Sequence, residues 1–93
     1  MSNILDDQLM LSPSVALRPE PFGALAYHFG NRRLTFLKRH ELVAVVERLD
    51  GSRPLVDVLA TCGVPEWQWP VFADSVARLV DSGMVLRPTG VAS

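Results

Sequence analysis

The chain has 93 residues, 48% of them hydrophobic, and a formal net charge of −1. This length allows one domain with one modest core, and the hydrophobic content excludes a disordered chain. The charge favours neither nucleic acid nor an anionic membrane, and we find no secretory signal and no membrane-spanning apolar run. The single cysteine, Cys62, cannot form an internal disulfide, so we expect a cytoplasmic protein.

The ends of the chain are predicted to lie outside the folded domain. Residues 1–13 are expected to form a flexible arm, because Asp6 and Asp7 accompany its apolar residues and Pro13 closes it. The domain is expected to span residues 14–88, with a tail at 89–93.

Residues 14–37 alternate with period two, which predicts strands. The first strand opens at residues 15–17 and ends at the prolines that follow, because proline donates no ladder hydrogen bond. Residues 22–29 and 32–37 are predicted to form a hairpin around a two-residue turn at Gly30-Asn31.

This turn fixes the register of the hairpin. It sets Tyr27 opposite Leu34 and Leu25 opposite Phe36, all on one face of the ribbon. Because both pairs are large and apolar, that face is predicted to be the core face. The opposite face is smaller and more polar, and is predicted to be the outer one.

The apolar period becomes helical after residue 37. The first helix is predicted to stop at Asp50-Gly51, and the second to begin near Pro54 with Ser52 as N-cap. The third helix is predicted to occupy residues 66–82, and a short strand to follow at 84–86. The three apolar stripes are Leu42, Val45, Val46 and Leu49; Leu55, Val58, Leu59 and Cys62; and Trp69, Phe72, Val76, Leu79 and Val80. The predicted fold is α+β and winged-helix-like, a three-stranded antiparallel sheet followed by three helices.

Residues for catalysis or metal binding are scattered rather than clustered. His28 and His40 have no nearby ligand partners in useful register. Cys62 falls on an apolar stripe, where a buried thiol is inert. We therefore expect a non-catalytic protein with no metal and no cofactor.

Basic residues concentrate in one segment. Residues 31–40 contain Arg32, Arg33, Lys38 and Arg39 and no acidic residue, although the chain as a whole is slightly acidic. One interpretation is a strand edge guarded by charge against aggregation. The other is an edge that accepts a partly acidic, extended peptide.

Other functions remain as alternatives. A winged-helix build is compatible with DNA binding, but the third helix is net acidic, which disfavours contact with phosphates. A structural or oligomerisation domain without a peptide ligand is a second alternative, and a homodimer through the same strand edge stays open. Trp67 is either an exposed partner contact or a cover for the loop around Pro65.

The stretch from residue 17 to residue 37, LRPEPFGALAYHFGNRRLTFL, resembles the front of the MftB family of mycofactocin biosynthesis chaperones. That family is a PqqD-like group of peptide-recognition proteins. The wider similarity runs from residue 14 to residue 88. It includes LVDSGMV at residues 79–85, which resembles the C-terminal segment common in PqqD-like domains.

The resemblance implies a function and a site. Family members bind the leader of a ribosomally made precursor peptide and present it to a radical S-adenosylmethionine (SAM) maturase. In them the leader is added along the third strand, beside the third helix. The residues implied here are Arg32, Arg33, Leu34, Thr35, Phe36 and Leu37 on the strand, and Trp69, Phe72, Ala73 and Val76 on the helix. Thr35, at the centre of the strand, is expected to donate its backbone N–H to the peptide. The resemblance implies no catalytic residue.

Overall fold

The computed structural model describes residues 4–87, which form strands and helices. The elements are β1 Gln8–Leu11, β2 Val15–Glu20, β3 Gly23–His28, β4 Leu34–Leu37, α1 His40–Glu47, β5 Asp50–Pro54, α2 Leu55–Thr61, α3 Trp69–Asp81 and β6 Val85–Leu86. The fold is α+β, as predicted, and is compatible with a winged-helix-like arrangement. Its strands form two antiparallel sheets, of order β5-β1-β6 and β2-β3-β4, instead of one. The predicted tail at residues 89–93 lies outside the described residues.

The prediction of a flexible arm over residues 1–13 is wrong for residues 8–11. These residues form β1, which lies at the centre of the first sheet between β5 and β6. Leu9 is fully buried, and the N–H of Leu11 donates to the carbonyl of Leu49 at 2.9 Å. The strand pairs only with segments far away in sequence, so local periodicity carried no signal for it.

The segment between α1 and α2 forms a strand. The sequence had predicted that its residues would end the first helix and cap the second. Residues of β5 pair with β1, and Gly51 takes a φ of 83°. The hydroxyl and the N–H of Ser52 donate to Oδ1 of Asp50 at 2.6 and 2.9 Å, and these bonds lower the pKa of that carboxyl. The N-cap of α2 is Pro54, so the prediction of Ser52 in that role is wrong.

The register predicted for the hairpin is confirmed. Tyr27 pairs with Leu34, and Leu25 pairs with Phe36. The turn is wider than predicted, because the N–H of Arg32 donates to the carbonyl of His28 at 2.8 Å and Arg32 adopts a left-handed φ of 62°. A four-residue loop at 29–32 therefore replaces the two-residue turn without changing the pairing.

The prediction of the core face of this hairpin is wrong. Ala24, Ala26 and Leu37 are at most 2% exposed, whereas Leu34 and Phe36 are 57% and 61% exposed. Helix α1 packs against β3 on the alanine face. Small side chains let a helix approach a sheet closely, so the smaller face became the buried one.

The helical stripes form the core with β1 and β6. Seventeen hydrophobic side chains are buried among the described residues, including Leu42, Val45, Val46, Leu49, Leu55, Val58, Leu59, Phe72, Val76, Leu79, Met84 and Val85. The predicted third helix is confirmed, except that residues 66–68 form a 3-10 turn before it. No helix within residues 4–87 is long and apolar enough to cross a bilayer.

Candidate functional site

Strand β4 lies at an edge of the second sheet, with β3 on one side only. The N–H of His28 donates to the carbonyl of Arg33 at 3.0 Å, which fixes the alternation of the ladder. Bonded positions alternate along an antiparallel pair, so Thr35 bonds to β3. The backbone N–H and C=O groups of Leu34 and Phe36 therefore point away from the sheet and are available to another strand.

A groove of about 400 Å³ runs between β4 and α3. It is lined by Thr35, Phe36, Leu37, Lys38, Arg39, Leu42, Ser75, Arg78 and Leu79. One wall is the outward-pointing backbone of an edge strand, and the other is one flank of a helix. This geometry fits an extended polypeptide, which can use the strand for main-chain hydrogen bonds and the helix for side-chain contacts.

Two contacts hold the walls of the groove together, one at each end. At the turn end, Nδ2 of Asn31 donates to the carbonyl of Ser82 after α3, at 3.2 Å. At the other end, the guanidinium of Arg39 lies 5.8 Å from the ring centroid of Phe72. These two contacts therefore connect the hairpin and the chain after β4 to α3.

We expect Asn31→Ala to destabilise the fold by about 1 kcal/mol, since it removes two exposed hydrogen bonds. Besides its bond to Ser82, Asn31 accepts from the N–H of Arg33 at 2.9 Å. Asn31→Asp is the matched variant, because it keeps an acceptor for Arg33, now charged, and replaces the donor to Ser82 with an oxygen that cannot bond to that carbonyl. Urea unfolding followed by circular dichroism would place Asn31→Asp between wild type and Asn31→Ala. Equal stability of all three proteins would contradict the role of Asn31 in joining the turn to α3.

The strand residues predicted for the site divide into three groups. Thr35, Phe36 and Leu37 line the groove. The side chain of Leu34 shares the opposite, outer face of the sheet with that of Phe36, while its backbone belongs to the free edge. Arg32 and Arg33 are exposed at the hairpin turn, beyond the end of the groove.

The helix residues predicted for the site do not line the main groove. Phe72 and Val76 are at most 2% exposed and belong to the core. Trp69 donates its indole N–H to the carbonyl of Val64 at 2.8 Å, in the loop after α2. Ala73 is half-buried against the core one turn along α3 from Trp69. These two side chains lie on the flank of α3 that faces away from β4.

Sequence reasoning missed the residues of α3 that do face β4. Ser75, Arg78 and Leu79 line the groove. Where the groove reaches Arg39, a hollow of about 30 Å³ is lined by Leu42, Val71 and the predicted Phe72. The available signal was Val71, an apolar residue that lies outside the apolar stripe. Val71, Ser75 and Arg78 stand at positions i, i+4 and i+7, so they share one flank of the helix.

The groove carries positive charge. Lys38, Arg39 and Arg78 line it, and no acidic side chain does. Arg78 forms an ion pair with Asp74 at 3.5 Å, and both side chains are largely exposed, so this pair is weak. Lys38 has no ion-pair partner within residues 4–87. The electrostatics therefore favour a ligand that brings carboxylates.

Titratable groups elsewhere do not assemble into a reactive centre. Within the described part of the chain, no three His, Cys, Asp or Glu residues lie together as ligands for a metal ion. Nδ1 of His28 accepts from the N–H groups of Gly30 and Asn31, which commits it to the hairpin turn. Cys62 is half-buried beside the core.

Comparison with known proteins identifies the family. The model of the peptide chaperone MftB family matches residues 8–86. Peptide chaperone MftB of Mycobacterium tuberculosis is 40% identical over 76 residues, which cover 82% of this chain and 70% of that protein. The protein of the same name from Mycolicibacterium smegmatis is 37% identical over 94 residues, 92% of each chain. No solved structure matches significantly.

The match begins at β1 and ends at β6, so it spans both sheets and all three helices. It confirms the resemblance read from residues 17–37. The relatives are named as chaperones, which confirms the prediction of a non-catalytic protein. The chain belongs to the peptide chaperone MftB family.

Proposed function

We propose that this protein binds the leader of a ribosomally made precursor peptide as an added strand on β4, and presents it to a radical SAM maturase of mycofactocin biosynthesis in the cytoplasm. The observation that carries this proposal is the free edge of β4, which runs along a groove formed with α3. Membership of a peptide chaperone family supports the choice of a peptide as the occupant.

The geometry defines how the leader would lie. Its backbone would bond to the outward-pointing groups of Leu34 and Phe36, making a fourth strand in the second sheet. Alternate side chains of the leader would then enter the groove beside Ser75 and Leu79. Carboxylates at those positions would lie near Lys38.

The proposed mechanism requires reversible binding. A disordered leader loses conformational entropy when it becomes a strand, which lowers its affinity for a given contact area. The groove is also partly open to solvent, so the peptide can leave without unfolding of the protein. Both features suit a carrier that must pass its peptide to an enzyme.

Isothermal titration with the synthetic precursor peptide tests the proposal. We expect a dissociation constant of about 1 μM or tighter, corresponding to roughly −8 kcal/mol. A precursor lacking its leader should release no heat. Absence of binding by the full precursor, both alone and with the maturase present, would overturn the proposed function.

The charge of the groove supplies a second test. Lys38→Glu should weaken leader binding about 5- to 10-fold, because an unpaired cation beside the groove becomes an anion. Arg48→Glu is the matched control, since Arg48 is exposed at the end of α1 and outside the groove. The effect should shrink in high salt. Equal affinities of the two variants would contradict the electrostatic part of the proposal.

A further inference from the structure

The sheet that carries β4 has an exposed apolar face opposite the core. This outer face comprises Phe22, Leu25, Tyr27, Phe29, Leu34 and Phe36. Phe29 and Phe36 are each 61% exposed. The aromatic rings pack edge to face in two pairs, Phe22 with Phe36 at 5.8 Å and Tyr27 with Phe29 at 5.2 Å. A contiguous patch of this kind, on so small a protein, indicates an interaction surface.

The leader peptide cannot cover the outer face. A strand added to β4 would lie in the plane of the sheet, about 4.8 Å beyond β4. It would extend the sheet sideways and leave Tyr27 and Phe29 as exposed as before. A second ligand must therefore be sought for this face.

A second copy of the chain fits the outer face poorly. Charged residues beside it include Lys38, which borders Phe22 and Phe36, and on the neighbouring β2 Arg18 and Glu20, which pair with each other at 3.6 Å. A two-fold contact brings the same surface to both partners, so it would bring these cations together. Charge complementarity instead favours a partner whose apolar patch has an acidic rim.

We infer that the outer face docks the maturase, through an apolar patch rimmed by acidic residues on that enzyme. This inference rests on the proposed function, which requires the peptide and the enzyme to be bound together. The two sites are adjacent, because Phe36 contributes its backbone to the peptide edge and its ring to the outer face.

The arrangement has a consequence for presentation of the peptide. Side chains of the bound leader that do not enter the groove would emerge on the outer face, beside Leu34 and Phe36. The docked enzyme would therefore contact the leader and the chaperone on one continuous surface. Peptide and enzyme should consequently bind with positive coupling.

The test uses the double variant Phe22→Ser with Phe29→Ser, which leaves the groove lining unchanged. Trp67→Ser is the matched control, because Trp67 is 77% exposed but lies before α3, away from the sheet. Affinity for the purified maturase is measured by titration with and without precursor peptide. Affinity for the peptide is measured by a separate titration, and the oligomeric state is measured by sedimentation.

We expect the double variant to lose at least about tenfold in maturase affinity and less than about twofold in peptide affinity. Trp67→Ser should behave as wild type. Wild-type maturase affinity in a folded double variant would overturn the inference and leave the peptide site standing. A wild-type dimer that dissociates in the double variant would also overturn it, by assigning the face to a second copy. If wild type bound neither peptide nor enzyme, the proposed function itself would fail.

Discussion

Phe36→Pro is expected to weaken leader binding at least about tenfold relative to Phe36→Ala, because proline removes one backbone donor and its ring blocks the approach of a strand. The N–H of Phe36 points away from β3, so the internal ladder should stay intact. Proline is tolerated on edge strands at such positions. Phe36→Ala is the matched reference, since both variants lose the same phenyl ring. Titration with the precursor peptide measures the difference.

Thr35→Pro tests the other edge of β4, where the backbone bonds to β3 instead of to the leader. The N–H of Thr35 points towards Ala26 of β3, and Ala26 is 1% exposed. Its loss should leave a buried carbonyl without a donor and destabilise the fold by about 1–3 kcal/mol. Urea unfolding should therefore rank Thr35→Pro below Phe36→Pro in stability. If Phe36→Pro bound the leader as tightly as Phe36→Ala, the added-strand geometry would be refuted.

The contrast between these two residues defines what the sequence could predict. The register of the hairpin was predicted by counting outwards from the turn. A wider loop with the same centre leaves this register unchanged, because the residue numbers of each pair still add to the same value. Which N–H groups face outward depends on which pair of the ladder is bonded. The side chain of Asn31 and the left-handed Arg32 decide this inside the turn. The sequence therefore predicted the strand but assigned its outward donor to Thr35.

The face of the sheet could not be predicted from side-chain size alone. Large apolar residues at Leu34 and Phe36 indicated a core, but a core face also requires an element that covers it. Helix α1 covers the side where Ala24 and Ala26 allow close approach. The exposed aromatic side thus became the outer face proposed for the maturase. Apolar residues placed there serve intermolecular contact, which alternation in a single chain cannot distinguish from core.

Long-range pairing accounts for the other differences. Strands β1 and β5 pair although their partner residues lie about forty or more positions apart, and β5 contains a glycine and a proline, which have low propensity for strands. In α3 the stripe was predicted correctly, because periodicity reports the buried face. Periodicity does not report which flank of α3 faces β4. That depends on where the hairpin packs against the helix, which is set by long-range contacts such as the one between Asn31 and Ser82.

Gly23 is a residue on which both the fold and the proposed site depend. It has a φ of 149°, and a Cβ there would overlap the carbonyl oxygen of Leu37 and lie 3.1 Å from the N–H nitrogen of Arg39. Gly23 thus permits β3 to approach the end of β4 that lines the groove. Gly23→Ala is expected to destabilise the fold by about 2–4 kcal/mol, from a strained backbone and from overpacking against main chain.

Gly63→Ala is the reference variant, because it places a Cβ at a positive φ without any overlap. Gly63 also has a positive φ, 78°, but a Cβ there would meet nothing within 4 Å. It should therefore cost only about 1 kcal/mol, the conformational part alone. Urea unfolding of both variants measures the extra cost at Gly23, which combines the overlap with main chain and the greater strain of a φ of 149°. That extra cost should be accompanied by weaker leader binding, because the overlap pushes the end of β4 out of its place beside α3. Leader affinity equal to wild type in folded Gly23→Ala would mean that the end of β4 is not part of the peptide site.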